Sequence, residues 1–255
     1  MAEETTPIVE LAEWLATPPG QYVLAWERAQ FDCAVADVFG FHAVQVGLAE
    51  IDLLRNNRMP FKAYVGEVMP TKAVAATWQG CALANPEALP LAAQSVDLLI
   101  LPHVFECTDE PHLVLREVER VLIPEGQLII CGFNPASMWG VRQGMGRITS
   151  SAYLPTAGEF ISMPRLKDWL KLLNLGATRS HFGCYAPPFR TAQWLNRFAF
   201  VEGAGQRWWP YLGAVYIVHA IKRVKGMHII GPAWQRKSSK APQAVPATNR
   251  NERHN

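Results

Sequence analysis

Two short apolar runs, at residues 96–101 and 127–133, enclose a stretch of the chain with helical periodicity. Neither run alternates apolar with polar residues, so each predicts a strand that is buried on both faces. Between them apolar residues recur every three or four positions, at Val114, Leu115, Val118, Val121 and Leu122. Pro111 suits a first helical turn, and Pro124 with Gly126 ends the pattern. The segment Glu87–Pro135 therefore predicts a βαβ unit.

The same kind of pattern extends over most of the chain. It predicts further helices at residues 8–16, 21–39, 49–58 and 164–174. It predicts further strands at residues 41–47, 61–68, 74–78, 177–185 and 211–221. Strands that alternate with helices are typical of an α/β domain, in which helices cover both faces of a mostly parallel sheet.

The connection between the second and third predicted strands is short. A parallel crossover needs about a dozen residues, and no full helix fits between residues 68 and 74. Two interpretations stay open here. Either these two strands pair as a hairpin, or the strand order on this side of the sheet is unusual.

The chain divides into three parts by composition. Residues 1–40 are an N-terminal helical segment, in which core packing is the expected role of Trp14, Trp26 and Phe31. Residues 41–225 form the main domain, and its segment 189–212 is dense in aromatic residues. That segment packs over the edge of the sheet or lines a site for an apolar molecule. Residues 231–255 are polar and dotted with proline, so we expect a disordered tail.

Composition and charge exclude several classes of protein. The chain has 255 residues, 49% of them hydrophobic, and a net charge of +2, which is too small to indicate nucleic-acid binding. Five cysteines without C-x-x-C spacing predict neither a disulfide framework nor a metal site. There is no signal peptide and no apolar run long enough to span a membrane. We therefore expect a cytoplasmic protein with reduced thiols.

Four quoted segments carry a resemblance to a known family. They are EALPL at residues 87–91, SVDLLI at 95–100, HVFEC at 103–107 and LREVERVLIPEGQLII at 115–130. In this order they resemble the class I S-adenosylmethionine-dependent methyltransferases, in the branch of the ubiquinone-biosynthesis methyltransferases. The segments GFNP and GAVYIVHAIKR resemble a smaller group of uncharacterised proteobacterial methyltransferase-like proteins.

The resemblance implies a fold and a cofactor. The fold is a Rossmann-like, doubly wound sheet of seven strands, mostly parallel, in which the last strand is antiparallel. The cofactor is S-adenosylmethionine, which would lie across the carboxyl ends of the first strands, where open α/β sheets bind ligands.

The resemblance also implies site residues. Gly47 is what remains of a Gly-x-Gly-x-Gly loop, whose glycines let the backbone approach the cofactor. Glu67, after the second strand, corresponds to the acid that holds the ribose hydroxyls, although a plain surface acid is the alternative. Asn85 corresponds to the residue that meets the adenine amino group, and Asn85-Pro86 is equally an ordinary turn pair. His103, after the fourth strand, corresponds to a histidine near the cofactor, and a structural histidine is the alternative.

The function that the resemblance implies is direct methyl transfer from S-adenosylmethionine to a small, apolar molecule. His103 is the candidate base, and Asn134 a weaker one. The degenerate glycine loop supports a second hypothesis, a methyltransferase-like binding or scaffold protein without catalysis. An NAD-dependent oxidoreductase is disfavoured, because no G-x-G-x-x-G follows the first strand.

Overall fold

The computed structural model describes residues 7–148, 153–155, 158–198 and 200–223. The helices are α1 (Pro7–Leu15), α2 (Pro18–Ala36), α3 (Lys72–Ala75), α4 (Pro111–Val121), α5 (Met138–Ile148), α6 (Met163–Leu172), α7 (Ala192–Arg197) and α8 (Phe200–Trp208). The strands are β1 (His42–Val46), β2 (Phe61–Gly66), β3 (Gly80–Leu83), β4 (Val96–Pro102), β5 (Leu122–Phe133), β6 (Leu175–Gly183) and β7 (Val215–Lys222). A 3-10 turn, Val104–Glu106, follows β4. The predicted tail 231–255 lies outside the described residues.

The strands of the described residues form one seven-stranded sheet in the order β3-β2-β1-β4-β5-β7-β6. Strands β1 to β5 pair in parallel with one another. Strand β7 runs antiparallel to both β5 and β6. The predicted Rossmann-like sheet with an antiparallel last strand is therefore confirmed.

The sheet is buried on both faces, which explains the uninterrupted apolar runs of its central strands. On β4, Leu98 and Ile100 face a core layer that contains Phe31 of α2. The alternate residues Leu99 and Leu101 face the opposite layer, which includes side chains of α4 and α6. Because successive strand residues point to opposite faces, a strand covered on both sides has no polar positions to alternate with.

The connection between β2 and β3 corrects one prediction. Residues 74–78 are not a strand, because Lys72–Ala75 forms a single helical turn and the third strand begins at Gly80. β3 pairs in parallel with β2, so the hairpin interpretation is wrong. Because β3 begins only at Gly80, the connection from Glu67 to Gln79 has thirteen residues, which is enough for a parallel crossover.

The loop after β1 corrects a second prediction, because residues 49–58 form no helix. The side chain of Gln45, fully buried on β1, organises this loop. Its Nε2 donates to the carbonyls of Gly47, Leu48 and Ile51, at 3.1, 3.3 and 2.6 Å, and its Oε1 accepts from the Leu53 amide at 3.0 Å. These bonds occupy backbone groups that a helix would otherwise pair internally.

The N-terminal helices belong to the same core as the sheet. Leu11 of α1 and Val23 of α2 are fully buried in one layer with the strand residues. Trp14 makes edge contacts with the rings of Phe133, Trp139 and Tyr153, at centroid distances of 5.9, 6.1 and 6.3 Å. Core packing is thus the role of this tryptophan.

Candidate functional site

A cavity of about 110 Å³ lies at the edge of the sheet where the parallel strands β1 to β4 end. Three residues singled out from the sequence meet there. Gly47 follows β1, Glu67 follows β2 and Asn85 follows β3. The other lining residues are Ile8, Gly66, Pro86, Glu87, Val104, Cys107, Thr108 and Asp109. The cavity lies where open α/β sheets bind ligands.

Gly47 forms one wall of this cavity with a backbone that favours glycine. Its φ is +83°, a value that side-chain-bearing residues rarely adopt. A Cβ at this position would lie 2.9 Å from Cδ1 of Ile8 and 3.3 Å from Cγ2 of Val104. Ile8 of α1 therefore packs directly over the turn that the family motif would leave open.

The cavity is acidic. Glu67, Glu87 and Asp109 all line it. Burial, and then the nearby charge of Glu87, raise the pKa of Glu67 above its usual value. Glu87 itself accepts a hydrogen bond of 2.7 Å from the hydroxyl of Thr108. A cavity with this lining attracts a cationic ligand and offers acceptors to hydroxyl groups.

Asn85 serves as a turn residue and as part of the cavity wall. Its Oδ1 accepts a 2.7 Å hydrogen bond from the Glu87 amide, the pattern of an Asx turn. The turn interpretation of Asn85-Pro86 is therefore confirmed. The two interpretations are compatible, because a carboxamide oxygen has a second lone pair that can accept another donor.

His103 does not line this cavity. It is fully buried directly after β4, in the left-handed region at φ 54°. Its Nε2 lies 2.6 Å from Oε1 of Glu27 on α2, and its Nδ1 lies 3.6 Å from Oε1 of Glu106. The structure brings Gly47, Glu67 and Asn85 together but places His103 in a buried cluster of its own. The catalytic role of His103 stays a prediction.

This buried cluster consists of Glu27, His103, Glu106 and Cys131. The ligand-type atoms of Glu27, His103 and Cys131 all lie within 4.8 Å of one another. Burial by itself lowers the His103 pKa, but Glu27, Cys131 and Glu106 together raise that pKa well above its usual value. Burial raises the pKa of the Cys131 thiol. The arrangement is that of an imidazolium held between two carboxylates beside a neutral thiol.

Asn134 fastens the end of β5 to the segment before β7. Its Nδ2 donates to the carbonyls of Tyr211 and Gly213, each at 2.9 Å, and its Oδ1 accepts from the Ala136 amide at 3.1 Å. These bonds give Asn134 a structural role beyond β5.

A second cavity, of about 440 Å³, lies beyond the end of β5 between α5 and α8. Its lining is almost entirely apolar and consists of Ala136, Ser137, Met138, Val141, Tyr185, Val201, Gly205, Trp209 and Leu212. Glu202 anchors α8 here, since its carboxylate accepts from the amides of Cys184 and Tyr185 and from the Tyr22 hydroxyl. The cavity has the size and the lining of a small-molecule site.

Sequence reasoning missed Gln45 and Glu27. Gln45 interrupts an otherwise apolar strand, and Glu27 lies at helical spacing between the buried residues Val23 and Phe31. A polar residue at an inward-facing position was the available signal in both cases, because such a side chain must find buried partners.

Residues 65–130 match a family model described as a methyltransferase domain. The matched part includes Glu67, Asn85 and His103 and begins after Gly47. A protein of Escherichia coli (strain K12), the uncharacterised protein YafS, is 32% identical over 165 residues. The match covers 65% of this chain and 64% of that relative, so the chain spans less than two thirds of the relative's length.

Solved structures show the same fold at low sequence identity. A methyltransferase in complex with the Trm112 methyltransferase activator of Haloferax volcanii has a TM-score of 0.59 and 15% identity, over 86% of this chain and 98% of that one. A SAM-dependent methyltransferase of Thermotoga maritima has a TM-score of 0.56 and 16% identity, over 77% and 87%. The [4+2]-cyclase SpnF has a TM-score of 0.53 and 15% identity, over 77% and 80%.

The solved structures show that the fold is that of the class I methyltransferases. The match of residues 65–130 to a methyltransferase domain implies S-adenosylmethionine as the cofactor. The acidic lining suits the positive sulfonium and ammonium groups of that cofactor, and Glu67 and Asn85 supply acceptors. The volume of about 110 Å³ is below the roughly 300 Å³ at which ligand pockets begin. The lining groups suit the cofactor, but the side chain of Ile8 occupies the space over Gly47. That side chain must move before the cavity can hold the cofactor.

Proposed function

We propose that this chain is an S-adenosylmethionine-dependent methyltransferase that transfers a methyl group directly to a small, apolar molecule. The meeting of Gly47, Glu67 and Asn85 in one cavity at the carboxyl edge of the sheet carries the proposal. Glu67 would accept hydrogen bonds from the ribose hydroxyls, Asn85 from the adenine amino group, and Gly47 would let the backbone approach. S-adenosylmethionine supplies an activated methyl group when bound, so the chain's main task is to orient the acceptor.

Calorimetric titration with S-adenosylmethionine and its demethylated product tests the cofactor site. We expect sub-millimolar binding of both by the native chain, and about tenfold weaker binding by Asn85→Ala and by Glu67→Gln, since each removes a hydrogen bond to the ligand. Asn56→Ala and Glu13→Gln are matched controls, because both residues are exposed and neither lines the cavity. Equal affinity in all five proteins contradicts the placement of the site.

The second cavity supports an apolar acceptor, because it lies beyond β5 at the edge of the sheet where β1 to β4 also end. We expect methyl-labelled cofactor, incubated with the chain and a cell extract, to transfer its label to molecules that partition into organic solvent. Label found instead in the protein or nucleic-acid fraction contradicts the proposed class of acceptor. Extract incubated with the labelled cofactor but without the chain is the control for methylation by the extract's own enzymes.

A specific observation favours a second candidate, a methyltransferase-fold binding protein without catalysis. The loop after β1 has Ala49 where the motif has its second glycine, and it carries a buried Leu48 at φ 50°. Ile8 covers the remaining glycine, Gly47. The cyclase among the similar structures illustrates that this fold does not fix the reaction. Binding of the cofactor without any transfer of label supports this candidate. If S-adenosylmethionine does not bind below millimolar concentration, the methyltransferase proposal is wrong.

A further inference from the structure

The segment α7–α8 and the residues after it carry a group of large apolar side chains that contact little of the core. We call this group the aromatic face. It consists of Trp194, Phe200, Trp208, Trp209, Tyr211 and Leu212, each of them roughly half to three quarters exposed. An exposed apolar patch of this kind marks an interaction surface.

The aromatic face is continuous with α5 and with the second cavity. Trp209 and Leu212 line that cavity together with Met138 and Val141 of α5, and all four side chains are about half exposed. At the other end, the rings of Phe189, Trp194 and Phe200 cluster around that of Phe198, with centroids 5.3 to 6.4 Å from it. The cavity therefore opens onto this surface.

The exposed charges within the segment 189–212 are positive. Arg190, Arg197 and Arg207 are exposed. The acid of the segment, Glu202, is turned inward to the amides of Cys184 and Tyr185. Helix α5 carries Arg142 and no acidic residue. A surface of tryptophan, tyrosine and phenylalanine edged by arginine has the composition of segments that lie at the boundary between lipid headgroups and acyl chains.

We propose that the aromatic face is a docking surface for an anionic lipid bilayer. The aromatic side chains enter the interfacial layer, the three arginines contact lipid phosphates, and the apolar cavity between α5 and α8 opens toward the acyl chains. None of the helices in the described ranges has the length and apolarity needed to cross a membrane, so the contact is peripheral. The proposal goes beyond methyl transfer and does not depend on it.

Flotation of the full chain with lipid vesicles tests this surface. We expect binding to vesicles of equimolar phosphatidylglycerol and phosphatidylcholine, much weaker binding to phosphatidylcholine alone, and loss of binding as salt is raised. The Arg197→Glu, Arg207→Glu double variant should bind more than about tenfold more weakly, since each basic residue contributes about fivefold at an anionic surface. The Trp208→Ser, Trp209→Ser double variant should also lose binding at low salt, where the native chain binds most strongly.

Two matched controls isolate the surface. Phe39→Ser removes an equally exposed aromatic side chain, 74% against 71% for Trp208, at the opposite edge of the sheet. Arg116→Glu reverses an exposed charge on α4. Both should bind vesicles like the native chain. Circular dichroism melts verify that all variants are folded, and the arginine variant changes only exposed side chains.

Three outcomes overturn the proposal. In the first, the native chain fails to bind the anionic vesicles. In the second, the tryptophan and arginine variants bind as the native chain does, so the basic stretch after residue 224 accounts for the binding. In the third outcome, sedimentation shows that the tryptophan variant converts a dimer into a monomer while vesicles have no effect, so the surface contacts a second copy of the chain. Calorimetry with S-adenosylmethionine proceeds without vesicles, so failure of this proposal and failure of the methyltransferase proposal are distinguishable.

Discussion

Replacing Glu27 by alanine is expected to destabilise the folded chain by about 3–5 kcal/mol, the usual effect of removing one partner of a buried ion pair. Glu27 and His103 are both fully buried, and their side chains meet at 2.6 Å. Without the carboxylate, the imidazolium would lie in the core beside the thiol of Cys131, with only Glu106, at 3.6 Å, to balance it. Urea unfolding followed by circular dichroism measures the effect.

Asp32→Asn provides the control on the same helix. Asp32 pairs with Arg55 at the surface, with both side chains partly exposed. Such pairs contribute about 0–1 kcal/mol, because water and salt screen them. If Glu27→Ala costs no more than Asp32→Asn, then the cluster holds neutral side chains and the ion pair described above is wrong.

The pair of Glu27 and His103 also makes the stability of the fold depend on pH in a defined direction. The His103 pKa is raised in the folded chain, from an unfolded value of about 6.5. The stabilisation it provides is therefore complete below about pH 6.5 and is lost as pH rises through the higher folded pKa. Unfolding free energies at about pH 6 and about pH 9 should differ more for the native chain than for Glu27→Gln. An equal difference in both proteins contradicts the assignment of this titration to His103.

The cluster explains why His103 could not be interpreted from the sequence. A histidine after the fourth strand suits a cofactor contact or a core position equally well. Its main partner, Glu27, lies 76 residues earlier on α2, outside the four segments that carry the family resemblance. The contact between His103 and Glu27 is tertiary, so no local sequence pattern predicts it.

The sheet, in contrast, was predictable because its strands are buried on both faces. Runs such as residues 96–101 and 127–133 have one stable placement, and their alternation with helices fixes the parallel class. The errors fall at the edge of the sheet and in one loop. β3 is a four-residue strand paired with β2 alone, so its sequence GCAL carries little signal. Residues 49–58 were predicted as a helix, because the hydrogen bonds of Gln45 that shape this loop leave no trace in the periodicity of the sequence.

Three of the four predicted site residues meet in one cavity for a topological reason. Gly47, Glu67 and Asn85 each follow a parallel strand, and the carboxyl ends of parallel strands meet at one edge. Ile8 was not predictable as a wall of the cavity, because it comes from α1, which precedes the whole sheet in the chain. The position of α1 over β1 depends on core contacts such as Trp14 with Phe133.

Gly47→Val is expected to weaken binding of S-adenosylmethionine by roughly tenfold to a hundredfold, because the added side chain overfills the space at the end of β1. The substitution should also destabilise the fold by about 1–3 kcal/mol, since a β-branched residue is strained at φ +83°. Calorimetric titration and urea unfolding measure the two effects separately.

A second substitution separates packing from ligand binding. The nearest atom to a Cβ at Gly47 is Cδ1 of Ile8, at 2.9 Å. Ile8→Ala alone should leave cofactor affinity unchanged or make it tighter, because it opens the wall that now covers the turn. Adding Ile8→Ala to Gly47→Val should recover part of the lost stability, since it relieves the contact but not the strained φ.

The affinity of this double variant is the decisive measurement. If the cofactor approaches the backbone at Gly47, the valine side chain still blocks that approach after Ile8 is truncated, so affinity stays low while stability rises. If affinity returns together with stability, then Gly47 matters only through its packing against α1. The cofactor would then bind elsewhere on the edge of the sheet, and Glu67 and Asn85 would lose the neighbour that makes their cavity the candidate site.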